Sequence, residues 1–185
     1  DYYASRGLGD VYKRQPQAYE TAIDMALGAA QQNIVTDTEE TAKELINYLR
    51  QNRLGRATFL PMSAIRGKTL YGNERNALKL PGCLGVASEL VQCAPEYRGI
   101  VENLLGRTVI ADNLDHGIPI MRAGNHAFRL VTLEGDVMHS GGSMTGGSAQ
   151  SKVSNLLSRE RELKELTAKL QTGRAELDKC RQELT

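Results

Sequence analysis

The sequence predicts an α/β (α+β) domain of two related subdomains, followed by a long coiled-coil helix. Three observations carry this. Apolar segments of helical and of strand period alternate between Pro16 and about Gln150. One frame of residues occurs twice within that stretch. Beyond residue 150, leucine recurs at every seventh position, at Leu156, Leu163, Leu170, Leu177 and Leu184. The expected boundaries are residues 1–15, 16–150 and 151–185, with subdomains at about 16–68 and 80–150.

Residues 1–15, DYYASRGLGDVYKRQ, sustain no period of 2 or 3.6 and read as non-native sequence or a linker. From Pro16 the pattern is regular. Tyr19, Ile23, Met25 and Leu27 fall largely on one helical side, and Gly28 closes that helix as a C-cap. Asn33–Thr36 reads as a short strand. Asp37 or Thr38 can N-cap a helix through Arg50, with Ala42, Leu45, Ile46 and Leu49 in register. Ala57–Leu60 reads as a strand stopped by Pro61. Residues 66–82 are polar and turn-rich and read as a connection between two halves.

The frame then recurs. Leu84–Val91 enters the second half, followed by Pro95, Tyr97, Val101, Leu105, Gly106 and Val109–Asp112. This parallels Pro16, Tyr19, Ile23, Leu27, Gly28 and Ile34–Asp37. A duplicated unit of helix, glycine stop, strand and helix follows. The first copy lacks a convincing equivalent of Leu84–Val91, so its opening element is expected to be missing or replaced. In the tail, Leu166 and Cys180 take intervening seam positions, as do Arg159 and Gly173. A stripe of this period needs a partner helix, and no second heptad segment occurs in the chain.

Composition excludes several classes. The 185 residues carry a net charge of +1, so nucleic-acid contact would need a local patch. Cys83, Cys93 and Cys180 lie far apart without metal-ligand spacing and read as free thiols. No apolar run is long enough to span a membrane, and the expected setting is cytoplasmic.

The segment at 135–148, GDVMHSGGSMTGGS, asks what its backbone amides hold. Phe128–Leu133 alternates as a strand, Glu134–Gly135 can turn, and Asp136–Ser140 can return. The glycines fall at Gly135, Gly142, Gly146 and Gly147, a G-x6-G-x3-G-G spacing. A phosphate loop needs G-x4-G-K-[ST] and a dinucleotide fingerprint needs G-x-G-x-x-G, and neither is present. Close approach of one backbone to another is the better use of such glycines.

This glycine spacing resembles the signature of the hinge domain of structural maintenance of chromosomes (SMC) proteins, of the bacterial condensin type. GRATFLPMSAI at 55–65, YETAIDMALGAAQQNIVTDTEETAKELINYL at 19–49 and LLGRTVIADNLDHG at 104–117 are similar to the same family. The resemblance implies a two-subdomain hinge that forms a homodimer with a second SMC hinge through sheet edges of opposite subdomains. Gly135, Gly142, Gly146 and Gly147 would lie at that interface. It further implies a long coiled coil formed with the protein's own N-terminal helix, and ABC-type ATPase heads at its far end. ATP and magnesium are expected only at those heads, and no cofactor or metal is expected in this chain. A cytoplasmic, nucleoid-associated role in chromosome condensation and segregation is implied with them.

Such proteins can also contact DNA without sequence specificity near the coiled-coil junction. Lys152, Arg159, Arg161 and Lys164 cluster there, interleaved with Glu160, Glu162 and Glu165, so a solvated charged face is an equal reading. Arg50, Arg53 and Arg56 form a second basic group. Two readings compete with the hinge. One is a purely structural coiled-coil spacer without DNA contact. The other is a small phosphate-binding enzyme domain, but His116, His126 and His139 are scattered and no catalytic residue is assigned. Adjacent His139 and Ser140 on a strand would face apart. Asp112 and Asp115 read as a strand-end turn that N-caps a helix, over a metal pair.

Overall fold

The computed structural model describes residues 6–7, 17–147, 166–172 and 174. The chain divides into two units, residues 1–149 and 150–185.

The first unit holds two sheets built on one plan. In the first half, β1 (Arg6–Gly7) runs antiparallel to β2 (Ile34–Thr36), and β2 runs parallel to β3 (Phe59–Pro61). In the second half, β4 (Cys83–Val86) runs antiparallel to β5 (Thr108–Ala111), and β5 runs parallel to β6 (Arg129–Thr132). Helices α1 (Glu20–Leu27) and α2 (Glu39–Gln51) follow β1 and β2. Their counterparts α4 (Arg98–Leu105) and α5 (Leu114–Ala123) flank β5, with a one-turn helix α3 (Ala87–Leu90) after β4. The matching strand order and directions give the repeated sequence frame a structural form. The second sheet alone is extended by β7 (Val137–Met138) and β8 (Met144–Thr145), giving the order β4-β5-β6-β7-β8.

Local chemistry explains the elements. Gly28 caps α1 at φ +50°, where its N–H reaches the Asp24 carbonyl. Helix α1 starts at Glu20 because Gln17–Tyr19 forms a 3-10 turn ahead of it. Of the two candidate caps for α2, Thr38 is the one used: its hydroxyl accepts the Thr41 N–H at 3.2 Å. Strand β5 is buried at all four residues, so both faces of the second sheet are covered there. Phe128, Leu130, Val109, Ile120 and Met121 form the heart of the second-half core.

Three expectations are revised. A strand does occupy the opening place of the first half, because Arg6 and Gly7 pair with Val35 and Ile34; it is two residues long against four in β4. The connection at 66–82 is not a free linker. It contains a 3-10 helix, Gly72–Lys79, and buries Leu70 and Ala77 in the second-half core. Arg107 fastens it, donating to both Glu74 carboxylate oxygens at 2.7 and 3.1 Å and to the Thr69 carbonyl at 3.1 Å. The expected return strand Asp136–Ser140 shortens to Val137–Met138, and a further strand, β8, forms inside the glycine run.

In the second unit, residues 166–172 and 174 are helical. Leu166 and Leu170 are each 54% exposed. The other heptad leucines, Leu156, Leu163, Leu177 and Leu184, lie outside the described residues, as do Arg159, Gly173 and Cys180.

Candidate homodimer interface at the glycine-rich edge

The glycine run folds into the last strand of the second sheet. Val137 pairs with Thr145 and Met138 with Met144, antiparallel. The turn between the two strands is closed by the backbone: Ser143 accepts from His139 N–H at 2.8 Å, and His139 accepts from Gly142 N–H at 3.0 Å. The Gly141 N–H reaches the His126 carbonyl at 3.2 Å. Gly141 and Gly142 hold φ of +88° and +101°, which side chains rarely adopt.

Asp136 pins this edge. Its backbone N–H donates to the Thr132 hydroxyl at 3.0 Å, and that hydroxyl donates back to the Asp136 carboxylate at 3.2 Å. The other carboxylate oxygen accepts the Gly147 N–H at 3.3 Å. Sequence reading missed Asp136 because a lone carboxylate beside a turn carries no spacing signal.

The four predicted glycines serve different ends. Gly135 is buried in the β6–β7 turn at φ +96°, where an added Cβ would touch Thr21 and Met25 of α1 at 3.4 Å. Its approach is therefore to another part of the same chain. At Gly146 an added Cβ would overlap the Asp136 carboxylate. Gly142 and Gly147 are exposed, and an added Cβ at Gly147 would meet nothing within 4 Å.

What the edge leaves free follows from hydrogen-bond alternation. The bond from His139 to Ser143 marks a bonded pair, so the Met138–Met144 pair is a non-bonded one. The N–H and C=O of Met144 therefore point outward, and its side chain is 50% exposed. The first sheet has an edge of similar kind. Thr58 O accepts from Ile34 N–H at 2.9 Å and Thr36 O from Met62 N–H at 2.8 Å, so Phe59 between them turns its N–H and C=O away from β2. Between α2 and the segment just ahead of β3 lies a cleft of about 410 Å³ lined by Ile46, Leu49, Arg50, Gly55, Arg56 and Ala57. Ile46 is 42% exposed there. Arg53, of the same basic group, holds φ +54° just past the end of α2.

The competing sites do not assemble. Among the described residues no group of three or more His, Cys, Asp or Glu could hold a metal ion. His116 Nδ1 lies 2.8 Å from Asp112 in an i,i+4 pair. Asn113, neither aspartate, caps α5 by accepting the His116 N–H at 3.0 Å. His139 Nε2 lies 3.4 Å from Thr145 Oγ1 across the β7–β8 pair, with Ser140 exposed in the turn. Cys83 and Cys93 are free thiols, and burial raises the Cys83 pKa, which disfavours a reactive thiolate. No helix among the described residues is long and apolar enough to cross a membrane. Lys152, Arg159, Arg161 and Lys164 lie outside the described residues.

Fold and site together define a duplicated α/β module of two open sheets, one of which ends in a glycine-rich edge strand. The family described as "SMC proteins Flexible Hinge Domain" matches residues 7–121. The match begins inside the segment 1–15. The chain is 48% identical over 155 residues to the Chromosome partition protein Smc of Bacillus subtilis, covering 83% of this chain and 13% of that protein. Among solved structures it is similar to the Geobacillus stearothermophilus SMC hinge domain, crystallised as an asymmetric dimer. The TM-score is 0.78 at 44% identity, covering 90% of this chain and 66% of that one. The Pyrococcus furiosus SMC hinge gives a TM-score of 0.63 at 30% identity, covering 76% and 70%. The chain belongs to the SMC hinge family.

Proposed function

We propose that this chain joins two Smc chains by self-association of its hinge, in a protein that organises chromosomes. The carrying observation is the β8 edge, with outward Met144 backbone groups, in a molecule whose β3 edge turns the Phe59 backbone groups outward and is preceded by a cleft of mixed polar and apolar lining. Strand addition of β8 from one copy to β3 of a second would satisfy the outward N–H and C=O of Met144 and of Phe59. It would bring Met144 to the cleft at Ile46, Leu49 and Ala57. A two-fold axis makes this contact twice, so the pair closes as a ring and does not extend as a fibre. The exposed Gly142 and Gly147 keep side-chain bulk out of the approaching backbones.

The wider reading rests on the relatives. The chain spans 13% of the Bacillus subtilis protein's length, so the ATPase heads, with their ATP and magnesium, would be supplied by the rest of the protein. The exposed Leu166 and Leu170 suit a coiled coil formed with the protein's own N-terminal helix. Chromosome condensation and segregation in the cytoplasm, on the nucleoid, is the setting proposed. Non-specific DNA contact belongs to this reading through Lys152, Arg159, Arg161 and Lys164, while Arg50 and Arg56 line the cleft assigned to the second copy.

The test is the mass in solution of the full chain and of Gly147→Glu, by light scattering on a sizing column. The expected result is a dimer at micromolar concentration, and a monomer of unchanged circular dichroism for the variant. A variant that stays dimeric would place self-association elsewhere, such as the heptad tail.

A further inference from the structure

Helix α1 belongs to the first half yet packs against β6 and α4 of the second. It is buried on nearly all sides, at Ala22, Ile23, Asp24, Ala26 and Leu27. Arg129 on β6 ties it down, donating to the carbonyls of Ala26 at 2.7 Å and Met25 at 2.9 Å. Gly135, in the turn after β6, lets that turn approach Thr21 and Met25. The same helix buries a carboxylate. Asp24 is 5% exposed, and neither of its side-chain oxygens has a hydrogen-bond partner. Gln31 reaches only its backbone carbonyl, at 3.0 Å.

The charges around it do not compensate. Glu20 lies one turn back on the same helix. The 3-10 turns flanking α1 contribute only Tyr19. On β6, Arg129 directs its two terminal nitrogens to the Ala26 and Met25 carbonyls, and its Nε, also buried, has no hydrogen-bond partner. The β6–β7 turn carries Glu134 and Asp136, both acidic. On α4, Arg98 is paired with Glu102 at 3.1 Å. We propose that Asp24 makes the seam between the two halves proton-sensitive: neutral, it holds α1 seated, and ionised, it favours release of α1 into water.

Two facts support this. A buried ionised carboxylate without a partner is unfavourable, and opening the seam hydrates it. Burial, with Glu20 adding to it, raises the Asp24 pKa from 3.8 to about 6. The sign follows from proton linkage. Between these values the closed seam holds a proton that the open one has lost, so closure weakens as pH rises. Above about 6 the penalty is complete, and below 3.8 it vanishes.

The test is hydrogen exchange of the full chain at pH 5 and pH 8, corrected for intrinsic rates. The α1 amides are expected to open about tenfold more often at pH 8, the β5 amides are not, and Asp24→Asn removes the difference. Equal opening at both pH values, a parallel rise in β5, or a persisting difference in Asp24→Asn would each overturn the proposal. Should Asp24→Asn fail to fold, the comparison of α1 with β5 in the unaltered chain decides alone.

Discussion

Met144→Arg is the sharpest probe of the proposed interface. Met144 lies on an outermost strand with half its surface free, so in an isolated copy the arginine can extend into water. A change of this kind alters stability by about 0.5 kcal/mol or less. In the dimer the same side chain would lie against Ile46, Leu49 and Ala57. Burying the remaining half of a methionine contributes about 1 kcal/mol, and confining a cation beside Arg50 and Arg56 costs about 1–2 kcal/mol more. The interface contains the position twice. The sum is about 4–6 kcal/mol, a weakening of the dissociation constant by about a thousandfold or more. Sedimentation equilibrium measures the constant and thermal melting measures the fold. A constant within threefold of the parent would refute the docking of Met144. A melting point many degrees below that of the parent, at a concentration where both are monomeric, would refute the claim that the edge is free in the single copy. Gly146→Glu is a poorer probe, because even its Cβ would overlap the Asp136 carboxylate and disturb the edge from within.

Two further outcomes test the supports of the site. Asp136→Ala removes the acceptor for Gly147 N–H and the partner of the Thr132 hydroxyl. It is expected to speed hydrogen exchange at 144–147 and weaken dimerisation at least tenfold, with the β5 amides unchanged. Glu74→Gln breaks the bidentate pair with Arg107 and is expected to cost about 1–2 kcal/mol at pH 7 in denaturant unfolding. The Arg107 hydrogen bond, with help from the Tyr71 N–H, lowers the Glu74 pKa. Its contribution is therefore present above 4.5 and fades as pH falls through the lowered value, so parent and variant should converge in acid.

The sequence showed the first-order plan because both halves obey local rules. Apolar period, Gly28 past α1, Gly106 past α4 and Thr38 ahead of α2 are each decided within a few residues. Features decided at long range stayed hidden. The polar run of 66–82 disguised Leu70 and Ala77, which are buried in a segment that Arg107, more than 30 residues away, fastens at Glu74. Strand β8 is two residues between glycines and has no period to read; only its pairing with β7 makes it a strand. The glycine spacing located the edge, but it treated four glycines as one motif. Gly135 serves a contact inside the chain and Gly146 makes room for Asp136, which leaves Gly142 and Gly147 facing outward.

The duplication itself explains why the molecule has something to join with. Two identical three-stranded halves would present identical edges, and like edges could pair in either copy or within one. Here the plan is broken in one place. The second sheet continues past β6 into β7 and β8, while the first stops at β3, where Pro61 lacks an N–H and limits further pairing. The β8 and β3 edges are therefore unlike: one is glycine-lined and carries Met144, and the other follows a segment that lines a cleft with Arg50 and Arg56. Unlike edges favour contact between opposite halves over contact between equal ones. With β8 and β3 on one chain, a two-fold axis satisfies each of these two edges once, so this contact closes at two copies. If the extension is what sets this choice, ending the chain before β7 should leave a second sheet that no longer discriminates, and the sizing column should then show species larger than a dimer or none above the monomer.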